Sequence, residues 1–86
     1  MNRRNAPDVA WFDWVAVHRA VNHRPGQTVA EVVGRPLTMA EVRVAVYTLR
    51  DRGWGTLRIA RHLGEHERSV DRWSRRPLPW FLDGVA

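Results

Sequence analysis

The sequence predicts one small all-α domain of four to five helices, and three observations carry that expectation. Apolar residues recur at i, i+3, i+4 and i+7 in several segments, the spacing of one helix face. Thr-x-x-Glu boxes, which satisfy the first backbone N–H groups of a helix, stand at residues 28–31 and 38–41. Glycines follow the apolar runs at Gly34, Gly53 and Gly64, where helices end. No segment alternates apolar and polar residues over a strand's length, and no Asn-Gly or Asp-Gly pair joins two apolar runs. With 86 residues the chain has room for one core of modest stability.

Residues 1–7 read as a flexible basic arm. From Asp8, a plausible cap after Pro7, a helix is expected to Asn22, with Ala10, Trp14, Val17 and Val21 inward and Trp11, Val15 and His18 widening the stripe. Pro25-Gly26 marks a turn. Thr28 opens a short helix that Gly34 closes. Thr38 opens a longer one, where Leu37 can staple onto Val42 and Val42, Ala45, Val46 and Leu49 form the buried stripe. Arg50 and Arg52 suit the negative end of its dipole. A two-turn helix follows, expected to bury Leu57, Ile59, Ala60 and Leu63. After the turn Gly64-Glu65-His66, the last helix turns Val70 and Trp73 inward and Arg68, Ser69, Arg72 and Arg75 outward. Pro77 and Pro79 stop it, leaving residues 77–86 as an apolar tail, so that residues 8–76 form the helical domain.

The charge is unevenly spread. The chain carries a net +5, and all 14 of its basic residues are arginine. Residues 50–76 hold eight of those arginines against Asp51, Glu65, Glu67 and Asp71, so they carry +4 of the +5. The absence of lysine and the single isoleucine, Ile59, read as codon bias of a GC-rich source. Arginine nevertheless grips phosphate bidentately and stacks on bases, so a polyanion partner would meet the second half of the chain.

Thr56 to Trp73 resembles the helix-turn-helix family of DNA-binding proteins. Counted from Thr56, the fifth residue is the small Ala60, the ninth is Gly64, the fifteenth is Val70 and the eighteenth is Trp73. A small residue lets two steeply crossing helices touch, the glycine makes the sharp turn, and the second helix pins one face on the first. The wider pattern, LT-x-x-E (37–41), L-x-x-RGW (49–54), IA-x-x-LG (59–64) and R-x-V-x-RW (68–73), resembles trihelical units of small phage and actinobacterial regulators. Resolvase-type and sigma-factor region 4 domains are similar. The resemblance implies sequence-specific binding of double-stranded DNA, as a transcriptional regulator or repressor acting by site occupancy. An excisionase-like architectural factor, or a module docking on a partner of the transcription machinery, are the alternatives.

By resemblance and by facing, Arg68, Ser69 and Arg72 are the candidates for base edges, because an arginine can bind guanine O6 and N7 together. Thr56, Arg58, Arg61, Arg75 and Arg76 are the candidates for phosphates, which position without specifying. His66, Glu67 and Asp71 are possible secondary contacts; Asp71 is also spaced to pair with Arg75 within the helix. The motif departs from its family in two places. Gly55 and Arg58 stand where a Ser/Thr cap and a Glu are usual, and Glu65-His66 replace an apolar residue and a Ser/Thr in the turn.

Other features point away from chemistry. The chain has no cysteine, and His18, His23, His62 and His66 lack an evident carboxylate partner, so neither a metal nor a cofactor is expected. No nucleophile–base arrangement or phosphate loop can be traced, which argues against an enzyme or a small-molecule substrate. Asp8 and Asp13 interrupt the first apolar stretch and no run is long enough to span a membrane, so a cytoplasmic protein is expected. Trp14, Trp54 and Trp73 are expected in the core. Trp80, Phe81 and Leu82 either fold back with Trp11 and Phe12 or offer a homodimer contact. Residues 28–44 either form a degenerate second helix-turn-helix or pack as ordinary core.

Overall fold

Five helices and no strand make up the structure, a computed structural model that describes residues 13–75. They are α1 (Trp14–Asn22), α2 (Val29–Val33), α3 (Met39–Asp51), α4 (Thr56–Leu63) and α5 (Glu67–Ser74). Residues 1–7, the Asp8 cap, Trp11, Phe12, Arg76 and the tail from 77 to 86 lie outside the described residues. None of the five helices is long and apolar enough to cross a membrane.

The 13 residues of α3 form the central post. Ala40, Val42, Val44, Ala45, Val46 and Leu49 are buried on more than one side of it, because α1 packs on one flank and α4 and α5 on others. Its start is the capping box foreseen in the sequence: Thr38 Oγ1 accepts from Glu41 N–H and the Glu41 carboxylate accepts from Thr38 N–H. Glu41 does more than cap. It is fully buried, and it also accepts two bonds from the Arg35 guanidinium (2.8 and 2.9 Å) and one from Asp13 N–H (2.8 Å). Burial pushes its carboxyl up, but those bonds outweigh it and hold the pKa below the ordinary 4.5. One side chain thus joins the start of α1, the α2–α3 turn and the start of α3.

The end of α3 is equally well defined. Gly53 (φ 89°) takes the left-handed conformation, its N–H donates to Arg50 O (2.8 Å), and Trp54 N–H donates to Leu49 O (3.1 Å). These are the paired bonds of a Schellman ending. Thr28 caps α2 and Gly34 ends it, as the residue types imply, but α2 buries none of its five residues fully. Residues 28–44 supply Leu37, Ala40, Val42 and Val44 to the core, and α2 is only five residues long, so this stretch packs as ordinary core.

Three expectations about facing are corrected. Helix α1 begins at Trp14, because Asp13 is extended and its carboxylate accepts from Val15 N–H. Its buried stripe is Ala16, Val17, Ala20 and Val21, whose two alanines let the backbone approach α3 closely; Trp14 (38% exposed), Val15 and His18 therefore face outward. Leu57, 48% exposed, sits about 100° round α4 from the line Thr56, Ile59, Ala60 and Leu63 that meets the core. Ser69, only 7% exposed, lies beside Val70 on the inward line of α5. Trp54 and Trp73 are half-buried and pack against the edge of the core.

Candidate nucleic-acid interface

Helices α4 and α5 are held as a pair by a turn that the sequence specifies. Gly64 (φ 68°) is left-handed, its N–H donates to Ala60 O, and Glu65 N–H donates to the same carbonyl (2.9 Å). A side chain at this φ is strained by crowding between Cβ and the following carbonyl, which is why glycine belongs here. Ile59, Ala60 and Leu63 from α4 and Val70 from α5 close over α3.

A further clamp, not foreseen from the residues, comes from the last turn of α3. The Arg50 guanidinium donates through Nη2 to Thr56 Oγ1 and through Nε to Ser74 Oγ (3.0 Å). It ties the start of α4 to the end of α5, and Thr56, expected at a phosphate, is engaged with it. Ser74 in turn donates to Val70 O (2.7 Å). Sequence spacing suited Arg50 to the helix dipole; only the tertiary arrangement shows its two hydroxyl partners.

The outer face of α5 carries Arg68, Arg72 and Arg75, at i, i+4 and i+7, all exposed. Arg75 pairs with Asp71 (3.3 Å), the intrahelical alternative for that carboxylate. Among the described residues Arg68 and Arg72 form no ion pair, so the outer face keeps two free guanidinium groups. Ser69 cannot join them: buried beside Val70, its small side chain serves the close approach of α5 to the rest of the unit. His66 and Glu67, both exposed, stand at the start of α5, and with Thr56, Arg68 and Asp71 they line a shallow depression between the two helix starts. Neither helix has a side-chain cap: Gly55 and His66 make no capping bond, so first-turn N–H groups of both point outward without a side-chain acceptor.

On α4, Arg58 and Arg61 are exposed. Arg58 packs over the Trp54 indole, its guanidinium carbon 3.7 Å from the ring centroid. That contact offsets its poor position in a first turn, where it opposes the helix dipole. Beside it His62 meets the edge of Trp54 and stacks on His23 (centroids 3.8 Å apart, planes 13° from parallel). Its Nε2 contacts Val21 O at 2.8 Å. Burial holds the His62 pKa below the ordinary 6.5; the bond to Val21 opposes that, and charge on His23 adds to it. The histidine pair joins residues 39 apart and carries no local sequence signal.

Among the described residues no group of three or more His, Cys, Asp or Glu side chains stands close enough to hold a metal. Comparison with protein-family profiles, with curated proteins and with solved structures finds no match.

Proposed function

We propose that the protein binds double-stranded DNA in a sequence-specific manner and acts by occupying its site, as a small transcriptional regulator of the helix-turn-helix type. The observation that carries the proposal is α5: an eight-residue helix set by a left-handed glycine turn, pinned by Val70 and Trp73, with Arg68 and Arg72 free on its outer face. A helix with such a face fits the major groove, about 12 Å wide, where each arginine can reach a guanine edge. Arg61 on α4 and Arg75 on the same face of α5 are exposed as well, and uncapped N–H groups at the start of α4 add donors for phosphate oxygens. Arg75 shares its charge with Asp71 and so suits the sequence-independent role.

Selection of bound sequences from a random duplex pool tests this reading. Enrichment of a short motif containing guanines is expected, and the symmetry of the selected sites reports whether one copy or two occupy them. A pool without enrichment, together with affinity that ignores salt, refutes the proposal.

A further inference from the structure

The turn between α1 and α2 meets α4 at a cleft of about 430 Å³. His23 comes into it from the turn, Arg58, Arg61 and His62 from α4, and Trp54 from the α3–α4 connection. No carboxylate lines it, and α5 contributes no residue to it. Two hydrogen bonds cross from the end of α1 to α4 here, and both run through the histidine pair. His62 Nε2 stands 2.8 Å from Val21 O, and His23 Nε2 stands 2.6 Å from His62 O. A carbonyl only accepts, so each ring donates through Nε2. A neutral ring with its proton on Nε2 meets that demand, so neither link requires a charge.

The surroundings of His62 favour its neutral form. Its ring stacks on His23 with centroids 3.8 Å apart, and the edge of Trp54 stands 5.0 Å away on another side. The charged and titratable groups facing it are His23 from the turn and Arg58 one helical turn earlier on α4. Arg61 lines the same cleft, the α3–α4 connection adds only the neutral Trp54, and Arg52 at the end of α3 is engaged with Asn22 Oδ1 (3.2 Å). Burial holds the His62 pKa below the ordinary 6.5; the Val21 carbonyl opposes that, and charge on His23 and Arg58 adds to it.

We infer that the stacked histidines form an acid-labile latch: a neutral His62 fastens the end of α1 to α4, and a proton on His62 loosens that joint. The donor on Nε2 survives protonation, so the bond to Val21 O is not what is lost. The loosening comes from a charge held partly out of water, beside Arg58 and against a second imidazole, with no carboxylate to offset it. The sign follows from linkage. The folded-state value lies below 6.5, so the latch is fully closed above 6.5 and weakens as pH falls from there through the folded value. Because α4 carries α5 through the Gly64 turn, the latch governs how firmly that helix pair is held to α1.

Two measurements on the full chain test this. An NMR pH titration reads the His62 ring, assigned through its backbone, together with the amides of Val21 and His23 across the joint. An inflection below 6.5 is expected for the ring, and the two amides are expected to follow it. Urea unfolding by circular dichroism then compares wild type with H62Q at about pH 7.5 and 5.5. Glutamine offers an N–H donor for Val21 O and does not titrate. Between those pH values wild type is expected to lose several-fold more of its folding constant than H62Q, up to about tenfold, the limit for one proton over the one pH unit below 6.5. Equal losses in the two proteins overturn the latch. So does a His62 inflection at or above 6.5, or one that neither amide follows. Should H62Q fail to fold, the wild-type titration decides alone.

Discussion

Replacing Glu41 with alanine is expected to remove a large share of the domain's stability, although Glu41 is remote from the outer face of α5. The carboxylate accepts four hydrogen bonds, two from Arg35 and one each from Thr38 N–H and Asp13 N–H. The donors are not equally exposed to loss. Arg35 keeps 32% of its side chain in water and Asp13 is exposed, so both recover solvent partners. Thr38 is 5% exposed, and its N–H would be stranded, a cost of about 1–3 kcal/mol. Loss of the reciprocal cap and of side-chain volume adds about 1–2 kcal/mol, giving about 2–5 kcal/mol in all. A domain of this length has about 4–13 kcal/mol in total. R35A leaves the buried carboxylate with only its two backbone donors, so it should also destabilise, by about 1.5–3 kcal/mol. Urea unfolding followed by far-UV circular dichroism measures both. The pH dependence has a definite sign: the folded-state pKa of Glu41 lies below 4.5, so its contribution is complete above that value and is lost as pH falls through the folded value. E41Q should therefore lose stability less steeply in acid than wild type. An E41A protein within about 1 kcal/mol of wild type would show that the four bonds do not organise the fold.

The α4–α5 pair and its proposed role yield three more expectations. R72A should relax base preference at one position of a selected site by about 1–3 kcal/mol, measured by competition between that site and its single-base variants; unchanged preference means that α5 is oriented otherwise. S69A should leave base preference intact, whereas S69L should destabilise by about 1–3 kcal/mol through overpacking, read by urea unfolding. The reverse pattern would put Ser69 on the outer face. G64A should cost about 1–2 kcal/mol for a side chain held at φ 68°, again read by urea unfolding; no cost would mean that the turn adopts another conformation.

What the sequence made legible was whatever acts within one helix or one turn. The Thr38–Glu41 box, the endings at Gly34, Gly53 and Gly64, and the stripe Ile59, Ala60, Leu63 all follow from contacts three to five residues apart, and each stands where its chemistry implies. Facing went astray where hydrophobicity was read without the register of the partner. Trp14 and Leu57 are apolar yet outward, because Ala16, Ala20 and Ala60 already fill the close contacts and a large side chain next to them is turned away. Ser69 is the converse: polar, but small enough to be drawn into the packed side of α5.

The residues that periodicity missed share a different property. Arg35, Arg50 and His23 each make polar contacts to groups in another element or turn, and such contacts have no fixed spacing. In the sequence Arg35 is visible only as unexplained charge, and Arg50 only as a complement to the helix dipole. Codon bias can supply arginine anywhere, but it does not make Arg35 bidentate on a buried carboxylate or place Arg50 between two hydroxyls. The arginines therefore divide by position. Arg35 and Arg50 are spent inside the domain, while Arg58, Arg61, Arg68 and Arg72 are exposed along α4 and α5. That division, more than the net +5, is what favours a polyanion partner: total charge governs solubility and encounter, whereas recognition needs exposed guanidinium groups on a fixed frame.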